Sequence, residues 1–253
     1  MNKKNPCALI TGISGQDGSY LTELLLRKNY KIIGVTRNIE TTEAKLPFEL
    51  KSKIDLVSWD FIDQQEIIDI LLDNHPDEIY NFAAYSSGAG MYDNPIDISK
   101  INGLSVALIL ESIRLTDPNI RFCQASSSEM YGYVEDSPQS ESTRFKPRSP
   151  YGAAKLYAHA MIEIYRQQYG LFACSAILFN HESPRRGLEF VTRKITHGAA
   201  MIKLGQVKEL HLGNLEARRD WGYAGDYVYA MSLMVSHSEA GDYVIATEKT
   251  HSV

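Results

Sequence analysis

Two short stretches carry residues whose types and spacing could do chemistry: Ser126-Ser127-Ser128-Glu129 and, downstream, Ser149-Pro150-Tyr151-Gly152-Ala153-Ala154-Lys155. Pro150 suits the first turn of a helix, where its missing N–H is not needed. In that helix Tyr151 and Lys155 stand at i and i+4, on one face and a turn apart. A phenol beside an ammonium has its ionised form favoured, so its pKa is expected to fall from about 10 toward neutrality. Tyr151 is then a candidate base for a hydroxyl proton, with a hydride leaving the carbon beneath. Taken alone, Tyr-x-x-x-Lys equally describes an amphipathic helix with a half-buried tyrosine and a snorkelling lysine. The elements around it decide between the two.

The first forty residues supply the context. Cys7 to Thr11 is a short apolar run of the kind found in a buried parallel strand. It leads into Gly12-Ile13-Ser14-Gly15-Gln16-Asp17-Gly18 and then a segment with helical apolar spacing (Tyr20, Leu21, Leu24, Leu25, Leu26). Strand, glycine-rich turn and helix in that order is the setting of a dinucleotide fingerprint, with the helix N-terminus facing a pyrophosphate. The Gly-x-x-Gly-x-x-Gly spacing resembles that of short-chain and extended short-chain dehydrogenases/reductases. A second strand, Ile32 to Val35, ends in Thr36-Arg37-Asn38, where an NAD enzyme would place an acid for the ribose 2′-hydroxyl. A guanidinium there favours a 2′-phosphate, and the cofactor expected is NADP.

The strand–helix alternation continues. Strands are expected at Ile54 to Trp59, Glu78 to Ala84, Ile120 to Gln124 and Phe172 to Phe179, with helices at Gln64 to Leu72, Ile96 to Leu115 and from Pro150. That pattern gives right-handed βαβ units and a doubly wound parallel sheet of Rossmann type, an α/β fold. Ligands of such sheets sit at the carboxyl ends of the strands. The glycine turn, Arg37, Asp60-Phe61, Ala83-Ala84, Ser127 and Glu129 all fall at such ends, which argues for one shared site.

Beyond the sixth strand the texture changes. Asn180-His181-Glu182-Ser183-Pro184-Arg185-Arg186-Gly187 is polar and carries helix breakers. A helix near Val191 to Leu204, a short strand at Leu210-His211-Leu212 and a helix from Asp226 to Val235 are expected after it. Residues 1–180 then form the dinucleotide-binding domain and residues 181–253 part of a smaller substrate lobe interleaved with the last sheet strands. Arg186, Arg193, Lys194, Arg218 and Arg219 concentrate cations there, which cofactor and substrate phosphates would explain.

Composition sets outer bounds. The 253 residues are 44% hydrophobic and 23% charged, as in an ordinary globular protein. A net charge of −5 suggests no nucleic-acid surface. Cys7, Cys123 and Cys174 lie far apart in apolar runs and are expected as buried free thiols in a reducing compartment. No span approaches the roughly 18 apolar residues of a membrane helix, and no signal peptide or metal site is read. A cytoplasmic protein is expected.

With these residues in view, the chain from residue 8 onward resembles the GDP-mannose 4,6-dehydratases of the extended short-chain dehydrogenase/reductase group. The most specific pieces are Asn180 to Gly187 and Arg219-Asp220-Trp221-Gly222. The resemblance implies Ser127, Glu129, Tyr151 and Lys155 as catalytic residues. It implies NADP contacts from Gly12, Ile13, Ser14, Gly15, Gln16, Asp17, Arg37, Asp60, Phe61, Ala83, Ala84, Ser86, Lys155, His181 and Arg186. Ser86, Ser127, Asn180, Lys194 and Arg219 are implied contacts of a GDP-sugar. The implied reaction is a closed redox cycle: oxidation at C4, loss of water across C5 and C6 through Glu129, and return of the hydride to C6. A homodimer or homotetramer is implied as well.

Three departures accompany the resemblance. A Gly-Ala-Gln-Ser-His stretch of the family, expected to line the sugar pocket, is here Ala83-Ala84-Tyr85-Ser86-Ser87. The segment after Arg37 lacks a second arginine that serves a tetramer contact. The sequence ends at His251-Ser252-Val253 where family members continue, so a truncated lobe is expected. A dehydratase of another GDP-sugar (a heptose or an N-acetylhexosamine), a 4-epimerase or 4-reductase, and an inactive NADP-binding fragment stay open as alternatives. Glu129 argues against the epimerase and reductase, which need no C5 proton abstraction.

Overall fold

A computed structural model describes residues 5–85 and 92–253. Strands β1 (Cys7–Thr11), β2 (Lys31–Thr36) and β3 (Ile54–Ser58) alternate with helices α1 (Gln16–Arg27), α2 (Ile39–Lys45) and α3 (Phe48–Lys51). Helix α4 (Gln64–Asn74) leads to β4 (Glu78–Asn81), followed by α5 (Pro95–Ser99), a π-helical turn at Lys100–Leu104, and α6 (Ser105–Thr116). Then come β5 (Arg121–Ala125), a single 3-10 turn at Ser128–Met130, α7 (Pro150–Tyr169), β6 (Ala173–Leu178) and β7 (Asn180–Glu182). Helix α8 (Val191–Lys203), β8 (Arg218–Tyr223), α9 (Ala224–Ser236), β9 (Asp242–Ile245) and β10 (Thr250–Ser252) complete the chain.

Seven strands form one parallel sheet in the order β3-β2-β1-β4-β5-β6-β9. The order reverses between β1 and β4, and a crevice opens beyond the strand ends at such a switch point. Both faces are covered, which is why β1 and β6 are buried along their whole length. One face packs Leu9, Val35, Ile79 and Phe122 against residues of α4, α6 and α7. The other packs Ile10, Tyr80 and Cys174 against residues of α1 and α9. Three further strands, β10-β8-β7, make a small second sheet over the carboxyl ends.

The doubly wound parallel sheet expected from the sequence is the fold observed. Details differ. Leu210-His211-Leu212 is not a strand, because no sheet edge adjoins it; Leu210 instead lies against Gly198 of α8. The small sheet uses Arg218–Tyr223 in its place. β4 stops at Asn81, and Phe82 to Ala84 leave the sheet to pass over Gly12. The expected single helix from Ile96 to Leu115 is interrupted by its π-helical turn.

Candidate functional site

Gly12 closes the turn after β1 at φ +65°, where a side chain is strained. A Cβ there would also lie 3.0 Å from the backbone of Phe82 and Ala83, so only glycine lets these loops approach. Gly15 stands at the cap of helix α1 and offers no side chain to it, leaving the helix's first N–H groups free for an anion. These groups line a cleft of about 820 Å³. Gly12, Ile13, Ser14, Gly15, Gln16, Asp17, Arg37, Phe61, Ala83, Ala84 and Arg186 all contribute to its wall.

A second cleft of about 410 Å³ joins the first through Asp17, Phe82, Ala84, Arg186, Glu189 and Phe190. Ser127, Glu129, Tyr151, Lys155, Asn180, His181 and Arg219 line it. Thus the two chemistry-bearing stretches meet in one cleft, and that cleft opens onto the glycine turn. Helix α7 delivers Tyr151 and Lys155: Ser149 caps it, its hydroxyl accepting the Gly152 N–H at 3.0 Å, and Pro150 occupies the first turn. Gly152 is needed for contact with the serine stretch, since a Cβ there would sit 2.5 Å from the Glu129 carbonyl oxygen. Glu129 is held by its own N–H donating to Ser127 Oγ at 3.2 Å.

The electrostatics correct one expectation. Burial pushes Tyr151 up to about 12, with the Ser127 hydroxyl acting the other way and Glu129 adding to the rise. The ammonium does not pull the phenol down here. Lys155 Nζ donates to the Ala125 carbonyl at 2.8 Å and stands 5.8 Å from the Tyr151 ring centroid. Its own burial pushes Lys155 down to about 8. Both side chains are therefore poised by desolvation, and a cation arriving in the cleft would favour the phenolate.

His181 and Asp17 form a buried pair. His181 Nε2 lies 2.9 Å from Asp17 Oδ2, and Nδ1 lies 2.8 Å from the Phe179 carbonyl oxygen. Both partners accept, so both ring nitrogens donate only when His181 is an imidazolium. Burial pushes His181 down, but the Asp17 carboxylate outweighs it and holds the imidazole above its usual value. Burial likewise pushes Asp17 up, and His181 holds it below the usual carboxylate range. Gln16 adds to the tie by donating to the His181 carbonyl at 3.1 Å and accepting from Ser183 Oγ at 2.8 Å. The Asn180 to Gly187 segment is thereby anchored on the start of α1.

Other residues fall differently. Asp60 lines neither cleft; it borders a neighbouring pocket with Arg37 and Tyr85. Lys194 is exposed on α8 and lines neither cleft. Of the expected cation cluster, Arg186 and Arg219 reach the smaller cleft, whereas Arg218 donates to the Thr250 carbonyl at 2.7 Å. Ser86 and Ser87 lie outside the described residues. Tyr85 lines the larger cleft and its hydroxyl accepts from Arg37 Nη1 at 3.3 Å, while Ala84 lines both clefts. Glu189 and Phe190, at the junction of the clefts, were not anticipated; their signal was their place between Arg186-Gly187-Leu188 and the start of α8.

Known proteins share this chain's sequence and fold. The family described as GDP-mannose 4,6 dehydratase matches residues 9–253. The chain is 44% identical over 263 residues to the human GDP-mannose 4,6 dehydratase, covering all of this chain and 71% of that one. It is 46% identical over 262 residues to the GDP-mannose 4,6-dehydratase of Vibrio cholerae serotype O1, covering 70% of it. The solved dTDP-glucose 4,6-dehydratase of Bacillus anthracis, in complex with NAD, superposes with a TM-score of 0.85 over 98% of this chain and 77% of that one. At 22% identity that last likeness is one of fold. On the match across residues 9–253 and these identities, the chain belongs to the GDP-mannose 4,6 dehydratase family.

Proposed function

We propose that this chain is an NADP-dependent nucleotide-sugar 4,6-dehydratase that converts GDP-mannose to GDP-4-keto-6-deoxymannose. The observation that carries the reading is the meeting of Ser127, Glu129, Tyr151 and Lys155 around one cleft that opens onto the glycine turn. The names of its relatives in human and Vibrio cholerae support the substrate.

The larger cleft fits a dinucleotide. The Gly12 turn, the uncapped α1 N-terminus and the Phe82–Ala84 wall would hold the pyrophosphate and nicotinamide half. Arg37, in Thr36-Arg37-Asn38 with no acid at the end of β2, would hold a 2′-phosphate. When bound, the cofactor supplies the acceptor for the C4 hydride and its return to C6. The chain's own residues handle the protons. Tyr151 takes the proton of the sugar 4-hydroxyl, and Ser127 donates a hydrogen bond to the same oxygen. Once C4 is a ketone the C5 proton is acidic, and Glu129 removes it. The same carboxyl, now protonated, gives its proton to the departing C6 hydroxyl. Asn180, Lys194 and Arg219 serve the GDP part of the substrate, with Arg219 supported by its place in the smaller cleft. A homodimer or homotetramer, supported by exposed Ile96, Tyr157 and Ile164, and a cytoplasmic location complete the reading.

Mass spectrometry of products from GDP-mannose, a GDP-heptose and a GDP-N-acetylhexosamine tests the function. Loss of water from GDP-mannose is expected; turnover of another GDP-sugar alone would reassign the substrate. For the cofactor, NADP should bind about ten- to a hundredfold more tightly than NAD, a charge-assisted contact of about 1.5–3 kcal/mol. Equal affinities, or no loss for Arg37→Ala, would remove NADP.

A further inference from the structure

Thr11, Asn81, Gln124 and Ser175 are register partners on β1, β4, β5 and β6, and all four are fully buried. Side chains on a strand alternate between faces, which places this row on the α7 side with Leu9, Ile79 and Phe122. The same row continues onto β2 and β3 as Val35 and Val57. On the β2–β3 side the sheet fills this level with apolar side chains; it turns polar from β1 through β6 and ends on β9 as Asp242, which pairs with Arg166.

Three members form a directed chain. The Ala83 N–H donates to Thr11 Oγ1 at 3.0 Å, and the Thr11 hydroxyl donates to Asn81 Oδ1. Asn81 Nδ2 donates to Gln124 Oε1 at 2.7 Å, and Gln124 Nε2 donates to the Ala125 carbonyl at 2.8 Å. That carbonyl is the acceptor of Lys155 Nζ. The chain starts at a backbone donor and ends at a backbone acceptor, so the two amides satisfy every link in one orientation only. Buried amides without partners would be costly, and linked ones hold their ends rigidly. One end is the Ala83–Ala84 wall shared with the cofactor cleft, and the other is the anchor of Lys155.

We propose that Gln124 and Asn81 are positioning residues: they fix the Ala125 carbonyl, and through it Lys155 Nζ, at a set distance from the Ala83–Ala84 wall. The proposal rests on the dehydratase reading only for its kinetic consequence. The acceptor favours the charged form of Lys155, so freeing the carbonyl lowers the pH at which the ammonium titrates. Misplacement of a reacting group by about 1 Å costs on the order of a hundredfold in rate.

The test uses Gln124→Met and the double variant Asn81→Leu/Gln124→Met, in which no amide is left unpaired against its neighbour. NMR of the Lys155 side chain in the ligand-free protein should show its titration moved to lower pH in both. In turnover, kcat should fall about ten- to a hundredfold with the KM for GDP-sugar held within about threefold. The alkaline limb of the pH profile should move with the NMR titration. An unchanged Lys155 titration in the double variant, melting like the parent, overturns the proposal. So does a kcat loss that the double variant recovers along with its stability. If the parent protein turns over no GDP-sugar, the dehydratase reading falls while the NMR comparison still decides the positioning role.

Discussion

Tyr151 sits where burial favours the neutral phenol, and Lys155 where burial disfavours the ammonium. On the proposed reading, proton removal from the substrate is therefore switched on by what enters the cleft. Tyr151→Phe should abolish oxidation at C4, so neither reduced-nicotinamide absorbance nor 6-deoxy product forms. Glu129→Gln should keep the oxidation and stop at the ketone, so absorbance appears in a single turnover without product; near-full dehydratase turnover in this variant would dismiss Glu129 as the acid/base. The Asp17–His181 pair gives a pH signature. Asp17 is held below its usual range, so it adds stability above about pH 4 that is lost as pH falls through its folded value. His181 is held above its usual value, so its share is complete below about pH 6.5 and is lost as pH rises through its folded value. The Tm deficit of Asp17→Asn should be largest between those limits and shrink toward alkaline pH; a deficit that does not vary with pH would show the pair is not ionic. Tyr-x-x-x-Lys and the glycine turn were legible as residues because their spacing maps directly onto a helix face and a tight turn. The direction of the Tyr151 shift was not, since it depends on burial and on where Lys155 Nζ finds its acceptor, and both are tertiary facts.

At the scale of elements, the start of α7 is the critical joint. Ser149 caps it, Pro150 opens it, and Gly152 lets it touch the backbone of Glu129. Gly152→Ala must push α7 and the serine stretch apart, because the contact is with a backbone carbonyl that cannot rotate away. Activity should fall at least tenfold, while Ser149→Ala should cost about 1 kcal/mol of stability through the lost cap. A Gly152→Ala protein with parental kcat, read alongside its melting curve, would show the joint has slack. The buried strands β1, β5 and β6 were legible because parallel strands covered on both faces read as short, mostly apolar runs. The small sheet was not: β7, β8 and β10 are short and polar, and their pairing comes from register across distant segments. Leu210 to Leu212 showed strand-like alternation without a partner edge, so Leu210 settled against α8 and the pattern misled.

Across the whole molecule, the sheet's switch point between β1 and β4 places the glycine turn beside the Phe82–Ala84 segment, while β5 and α7 bring the acid/base set alongside. The two clefts share a wall, so on the proposed reading one sugar ring in the smaller cleft would face one nicotinamide in the larger, and both hydride transfers would cross a single contact. Such an enzyme consumes no cofactor. The direct test is turnover of GDP-mannose deuterated at C4 with catalytic NADP and no added reductant. The account predicts product carrying the deuterium at C6 of the same sugar, with no net change in cofactor oxidation state; deuterium remaining at C4, or mole-for-mole oxidation of NADPH, would contradict it.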